Sequence, residues 1–383
     1  MLKTSTKTPK DDEVAFQEYL TEGEARAMEL GNRGPVRFTE TGELHPEIIE
    51  AYWRVGFYVF QNVLRPEEIK DLEEDVHLIQ TRLPVAQGAN LDSRGELAMG
   101  VEQGGRNFFW SKPLADPFGG TNLAGGRHPV KMHEPTPEKG VPEEVVYLII
   151  GSLQYSDACL RAYGHPDLLR IAAAINGEDF TPFNEGLFIK APGLGASVAW
   201  HRDGLTHYDS PKWDEGVHGF NFMGQVYGCT AANGVWVVPG SHKKRHVDIP
   251  AMAAKAGSDR LPDAVPIICA PGDVAMTNRQ AIHGSFANTS KDWRVTVNMG
   301  FHRRSSVLNI EAGGLHNARA VYTGERITRR ARMLGYAIDA RRQRFPDETP
   351  YQYTPHLQDG LVYRWDDAAR ADIWDYNKDD LSI

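Results

Sequence analysis

The sequence predicts a mainly β protein, a barrel or sandwich of short strands with helices flanking it. Three observations predict it. From about Phe183 to Arg304 the chain breaks into short β-rich runs split by turn residues. Helix-like segments with Pro and acids at their starts precede this region. At 383 residues and 41% hydrophobic, the chain can bury a large core.

Taken in order, residues 1–43 are polar and read as a partly irregular N-terminal segment ahead of a single domain over 44–304. His45-Pro46-Glu47-Ile48-Ile49-Glu50-Ala51-Tyr52-Trp53 reads as a short helix, Gly56 ends it, and Phe57-Tyr58-Val59-Phe60 is a strand. Arg65-Pro66-Glu67-Glu68 opens a second helix, with Pro and acids where helix N-termini prefer them. Residues 84–140, rich in Gly and Pro with Phe108, Phe109 and Trp110, suit an ordered insertion or lid. The barrel core is expected over 183–304. Examples of its β-rich runs are Gly186–Lys190, Val235–Gly240 and Arg294–Met299. A C-terminal extension, 305–383, is expected to pack on the domain. It contains a helical stretch from Glu325 to Phe345 with seven arginines. A phosphate or coenzyme A contact is one reading of those arginines; a solvated face or a contact with a second copy of the chain is the simpler one.

Composition excludes several classes. A formal charge of −9 argues against nucleic acid as a partner. The N-terminal residues lack the apolar run of a secretory signal, and Val145–Ile150, the longest strongly apolar run, is too short to span a bilayer. Cys159, Cys229 and Cys269 are odd in number, widely spaced and outside any CxxC, so they read as reduced thiols of a cytoplasmic protein. The expected partner is a small molecule.

Three features of the β-rich segment belong together. In Trp200-His201-Arg202-Asp203-Gly204, His201 and Asp203 are two apart, so a strand would point both to one face. Alone, such a triplet is usually a surface turn. The second is the turn Pro271-Gly272-Asp273 and the run that ends at His283-Gly284-Ser285, with His283 lying 80 residues after Asp203 (283 − 203). The third is Arg294, eleven residues after His283 (294 − 283), beyond the turn-formers Asn288-Thr289-Ser290. A hairpin centred between Asn288 and Thr289 would set His283 opposite Arg294 and Ser285 opposite Asp292, with His283, Ser285 and Arg294 on one face.

Two imidazoles and one carboxylate are the facial triad of non-haem iron(II) oxygenases. Such a set leaves room for a chelating 2-oxo acid and for oxygen, and an arginine fork nearby suits a distal carboxylate. A zinc hydrolase could use the same three ligands, but that chemistry gives the arginine no task, and there is no HExxH.

At these residues the chain resembles the phytanoyl-CoA dioxygenase family of iron(II)/2-oxoglutarate oxygenases. Tyr52–Phe60 through Leu64-Arg65-Pro66-Glu67-Glu68 is similar to the family's opening helix–strand–helix. His201-Arg202-Asp203, Asn233-Gly234, Val238-Pro239-Gly240-Ser241-His242-Lys243, Pro271-Gly272-Asp273, His283-Gly284-Ser285, Asn288-Thr289-Ser290 and Arg294 follow in the family's order. The resemblance covers roughly 44–80 and 183–304. The stretch between Asn233-Gly234 and Pro239 is one residue shorter than usual, and residues 84–140 and the tail fall outside it. The resemblance implies a double-stranded β-helix (jelly-roll, cupin-like) barrel that uses iron(II), 2-oxoglutarate and O2. It implies that His201, Asp203 and His283 bind the metal, while Arg294 and Ser285 hold the distal carboxylate. The implied reaction is oxidation of an aliphatic C–H bond, with hydroxylation the expected outcome and succinate and carbon dioxide released.

Other polar residues rest on position alone. Asn221 and Gln225 are an even number apart and could face the barrel interior, touching the co-substrate or substrate. Lys190, Arg202, Arg279 and Arg303 are near the site in sequence and are candidates to meet an anionic substrate. His207 and Tyr208 are candidates for its mouth, and Pro239-Gly240-Ser241-His242 reads as a structural turn. The rival functions are a cupin-like metal-dependent isomerase or hydrolase, and a barrel that binds a small molecule without turnover. Intact Asp203 and Arg294 speak against both, because a pure binder has no need of a costly charged constellation in its core.

Overall fold

Arg294–His302 alternates polar and apolar residues along nine positions, and all nine are buried. A strand of this pattern ordinarily wets its polar face. Here both faces are covered, and the way they are covered builds the molecule.

The computed structural model describes residues 9–203, 219–312 and 320–376. Its helices are α1 (Pro9–Glu29), α2 (Pro46–Val55), α3 (Pro66–Arg82), α4 (Asp157–Tyr163), α5 (Pro166–Asn176), α6 (Ile249–Ala256), α7 (Arg304–Val307), α8 (Gly324–Arg344), α9 (Thr354–Gln358) and α10 (Asp367–Asp372). Its strands are β1 (Arg33–Pro35), β2 (Phe57–Gln61), β3 (Phe108–Ser111), β4 (Val145–Ile150), β5 (Thr181–Lys190), β6 (Val198–His201), β7 (Gly219–Gln225), β8 (Trp236–Val237), β9 (Val265–Pro266), β10 (Val274–Asn278), β11 (His283–Ser285) and β12 (Arg294–His302). A short pair, Glu311–Ala312 with Ala320–Val321, follows. No helix among the described residues is long and apolar enough to cross a membrane.

Two sheets form. The larger runs β1-β2-β10-β7-β12-β5-β4-β3, and the smaller runs β6-β11-β8-β9. Apart from the parallel β1–β2 pair, every pairing is antiparallel. Consecutive strands such as β6 and β7, or β11 and β12, lie in different sheets. That alternation is the mark of a double-stranded β-helix.

The outward face of the larger sheet is apolar. Val295, Val297, Met299 and Phe301 of β12, with Phe220 and Phe222 of β7, join one core cluster with Leu168, Leu169 and Ile171 of α5 and Met333 and Leu334 of α8. The outward side of the smaller sheet carries Trp200, Trp236 and Ile282, covered by Leu20 of α1 and by Ile249 and Ala253 of α6. Between the sheets a third cluster holds Phe57, Val59, Met223, Val237, Val265 and Ile267. It fills one end of the barrel.

The structure departs from the sequence reading in three places. The polar N-terminal segment contains the 21-residue helix α1, whose Tyr19 stacks on Trp236 at 4.6 Å between ring centroids. Its few apolar residues are spaced for one narrow face, which is why composition hid it. The arginines of α8 are only partly a wet face: Arg329, Arg342 and Arg344 are exposed, whereas Arg330, Arg332 and Arg341 are buried. Arg330 is fully buried and bonds Glu185, while Arg332, Arg341, Arg342 and Arg344 reach Asp372, Glu68, Asp339 and Asp71. The pairs with Glu185, Glu68 and Asp71 pin the C-terminal extension to the domain, and those with Asp372 and Asp339 hold the extension together. The third departure concerns the predicted hairpin. β11 and β12 do not pair, because the segment between them crosses from one sheet to the other. Phe286 is buried against Trp200 and Trp236, and the Asn288 amide donates to the carbonyls of Lys190, Ala191 and Asp292 at 3.0, 3.2 and 2.9 Å.

The turn at Pro239-Gly240-Ser241-His242 is structural, as expected. His242 Nε2 lies 3.0 Å from the Trp53 carbonyl, and its ring sits where a side chain at Gly56 would be, 2.5 Å from an ideal Cβ.

Candidate metal centre and anion pocket

His201 ends β6 and His283 begins β11, and the two are direct cross-strand partners. Val237, paired with His283 from the other side, faces the barrel interior, so the histidines do too. Their ring centroids are 4.2 Å apart. Gly284 between the two sites permits this: an ideal Cβ there would lie 3.0 Å from the Val198 carbonyl and 3.2 Å from the Trp200 ring. Asp203 follows β6, its backbone N–H donating to the Arg279 carbonyl at 2.9 Å. One ligand atom from each of His201, Asp203 and His283 lies within 4.8 Å of the others. These three are the group of this kind among the described residues.

Local bonding prepares the donors. Each histidine places Nδ1 beside the carbonyl two residues before it, Ala199 at 2.8 Å and Ala281 at 3.0 Å. Such a contact fixes the ring and leaves Nε2 for a metal. Burial, with the neighbouring His201 charge next, pushes the His283 pKa down to about 4, so its ring is neutral, the ligating form. For Asp203, burial alone would raise the pKa. The Arg279 guanidinium, then the hydrogen bond with His201, outweigh it and hold the carboxyl well below its ordinary range. Asn221 Nδ2 donates to Asp203 Oδ2 at 2.8 Å, and Arg279 Nη1 lies 3.6 Å from the same oxygen. Arg279 also donates to Asn221 Oδ1 and Asn184 Oδ1, both at 2.9 Å. Two imidazoles with Nε2 left free and a braced carboxylate fit iron(II).

A second cluster lies on the inward face of the larger sheet. Arg294 and Lys190 are cross-strand partners. Both are buried, at 3% and 2% exposure, and neither forms an ion pair among the described residues. Lys190 Nζ donates to Ser285 Oγ at 2.8 Å and to the Phe286 carbonyl at 2.6 Å. Arg294 Nε donates to Thr296 Oγ1 at 3.0 Å, and Thr296 Oγ1 donates to Gln225 Oε1 at 2.9 Å. Burial first, then the Arg294 charge, drives the Lys190 pKa well below its ordinary value; burial lowers Arg294 as well. Holding both groups charged side by side out of water is costly unless an anion joins them.

The sequence-derived candidates sort accordingly. Ser285 and Arg294 meet, but through Lys190 and not through a hairpin. Gln225 stands one link from Arg294. Asn221 braces Asp203. Of the cations named as candidate substrate contacts, Arg202 donates to the carbonyls of Gln280, Lys244 and Arg245, which makes it structural. Arg279 serves Asp203, Lys190 belongs to the anion pocket, and Arg303 is the half-buried residue before α7. His207 and Tyr208 lie outside the described residues. The sequence reading missed Asn184, although Asn184, Gly186, Phe188 and Lys190 share one face of β5 by period two. It also missed His128 in the 84–140 segment, whose ring packs on His201 at 4.1 Å. No periodic signal marks that irregular stretch.

Comparison with solved structures finds distant likenesses. AviO1 from Streptomyces viridochromogenes Tue57 is 22% identical, over 66% of this chain and 92% of its own, with a TM-score of 0.44. EctD from S. alaskensis, solved with 2-oxoglutarate and 5-hydroxyectoine, is 18% identical over 72% and 83%, with a TM-score of 0.48. The carbocyclase SnoK from nogalamycin biosynthesis is 16% identical over 70% and 87%, with a TM-score of 0.45. No curated protein matches the chain. The family model described as Phytanoyl-CoA dioxygenase (PhyH) matches residues 52–296, well over half of the chain and all seven proposed site residues, so the chain belongs to the phytanoyl-CoA dioxygenase family.

Proposed function

We propose that the protein is an iron(II)- and 2-oxoglutarate-dependent oxygenase that hydroxylates an aliphatic C–H bond of a small organic substrate. One observation carries this reading: two buried basic side chains with no ion pair among the described residues, Lys190 and Arg294, share the barrel interior with a three-ligand donor set. A hydrolase or isomerase needs the donors but has no use for the cation pair. A dicarboxylate needs it.

When bound, iron(II), 2-oxoglutarate and dioxygen together supply an oxidant able to cleave an unactivated C–H bond, with succinate and carbon dioxide as by-products. The protein's part is positioning. His201 and His283 present their Nε2 atoms, and Asp203 the third ligand, kept ionised chiefly by Arg279 and oriented by Asn221. Lys190, Arg294 and Ser285 hold the distal carboxylate, with Thr296 and Gln225 fixing the Arg294 fork. The apolar cluster behind them keeps water from that end of the barrel.

Asp203 also bears on the outcome. A halide-transferring site of this type would need a ligand position freed by loss of that carboxylate, and here the carboxylate is present and braced. Succinate release on adding iron(II), ascorbate and 2-oxoglutarate tests the reaction class. With a substrate in hand, labelled oxygen and excess chloride test the outcome. A labelled hydroxyl supports the proposal, and a dominant chlorinated product overturns it.

A further inference from the structure

The 84–140 segment packs against the metal centre through His128 and carries beside it a cation that nothing above employs. His128 is 2% exposed, and its ring lies between Phe118, at 5.1 Å and 23°, and the proposed ligand His201, at 4.1 Å and 33°. The backbone around it is closed on itself. Gly120 N donates to the His128 carbonyl at 2.8 Å. The Asp116 carboxylate accepts from the backbone N–H groups of Phe118, Gly119 and Met132 at 3.2, 2.9 and 2.8 Å. This stretch is therefore clamped against the ligand histidine.

Arg127, the residue before His128, is half-buried, and its Nε is shielded from solvent without a hydrogen-bond partner. Among the described residues it forms no ion pair. His128 Nδ1 is likewise unpartnered. The Arg127 charge acts on His128, Asp203 and His283. The other cations near the centre are committed: Arg279 to Asp203, Arg202 to three carbonyls, and Lys190 with Arg294 to the co-substrate pocket. A partly desolvated guanidinium near a metal site, with no ion pair among the described residues and the nearby Asp203 already held by Arg279 and Asn221, suits an anion.

We infer that Arg127 anchors an anionic group of the primary substrate, so that the substrate class is a small organic acid: a carboxylate, sulfate or phosphate ester. The inference rests on the oxygenase reading of the same centre. Arg127 offers a planar fork that binds two oxygens of the anion, which holds the rest of the molecule over the His201 side of the metal. His128 wedges the loop so that this fork is fixed relative to the metal ligands. Arg127 is thus a specificity-determining residue supplied by a segment outside the barrel.

The test uses full-length protein loaded with zinc(II) and saturating 2-oxoglutarate, which cannot turn over. Sulfate, hexanoate and the uncharged hexanamide are titrated calorimetrically into the wild type, Arg127→Gln and Arg127→Lys. Sulfate and hexanoate should bind the wild type and hexanamide should not. Arg127→Gln should weaken both anions by about tenfold or more, the scale of one charge-assisted contact, and Arg127→Lys should fall between. Equal anion affinity in wild type and Arg127→Gln overturns the inference. So does hexanamide binding as tightly as hexanoate, or no anion binding while 2-oxoglutarate still binds. A wild type that fails to bind 2-oxoglutarate in the preliminary titration refutes the underlying oxygenase reading instead.

Discussion

Replacing Lys190 with Met removes one of the two cations while keeping the volume of the side chain. In the free protein the amine sits 2.8 Å from Ser285 Oγ and 2.6 Å from the Phe286 carbonyl, opposite Arg294 on β12. Burial and the Arg294 charge depress its pKa well below the ordinary 10.5, with Asp116 acting weakly in the other direction. A bound dicarboxylate reverses that balance, so 2-oxoglutarate should bind together with a proton taken up by Lys190. A hydrogen bond to a charged group contributes about 1.5–3 kcal/mol, so Lys190→Met should weaken 2-oxoglutarate binding by about ten- to a hundredfold. Fold stability should change less. Relief of burying a cation offsets the orphaned Phe286 carbonyl, which costs about 1–3 kcal/mol.

The pH dependence follows from the sign of the shift. Between the depressed folded pKa and the ordinary value, the unfolded chain holds a proton that the folded, ligand-free chain does not. Stability of the ligand-free protein therefore rises with pH across that window, and Lys190→Met should lose the rise. Affinity for 2-oxoglutarate should move the opposite way and fall as pH rises. Calorimetry in pairs of buffers of different ionisation enthalpy, over a pH series below the ordinary lysine value, reads the proton directly. Unchanged affinity in Lys190→Met, or binding without proton uptake in the wild type, would refute the argument.

His201→Ala or His283→Ala should abolish metal binding, read by metal analysis, while circular dichroism stays native, because the apolar clusters do not include either residue. Asn221→Leu leaves Asp203 without its 2.8 Å donor and should lower metal affinity by about 10–100-fold in a competitive chelator titration. Gly300→Ala should act on the same brace: an ideal Cβ there lies 2.1 Å from Asn184 Oδ1 and 3.0 Å from Asn221 Oδ1, so a full-affinity metal site in that variant would contradict the network. Arg330→Met strips the buried Glu185 of its cation and should destabilise the fold by about 3–5 kcal/mol in a denaturant titration, which would establish that α8 is pinned internally.

Several of these features were legible in the residues themselves. His201, Asp203, His283 and Arg294 were found by type, order and spacing, because a metal triad and a carboxylate clamp admit few residue types. The helix over Pro46–Val55 and the strand after Gly56 were legible from Pro and Gly placement. Lys190 and Arg279 were visible as nearby cations, but their tasks were not. Whether a lysine is wet or buried against an arginine depends on a partner strand more than one hundred residues away in sequence.

The sequence by itself determined the period-two alternation of β12, with Arg294, Thr296 and Asn298 on one face and Val295, Val297 and Met299 on the other. Only the tertiary structure decided what each face meets. Local pattern suggested a hairpin from His283 to Arg294, but Phe286 and Asn288 find better partners by carrying the chain across to the other sheet. Helices α5 and α8 then take the apolar face outward, and the polar face closes over the barrel interior against the metal ligands. Likewise, nothing local places His128 against His201. Alternation is a property of neighbouring residues, dictated by backbone geometry. Which side is inside depends on burying the most apolar area while leaving no charge without a partner, and that balance exists only once distant strands have met.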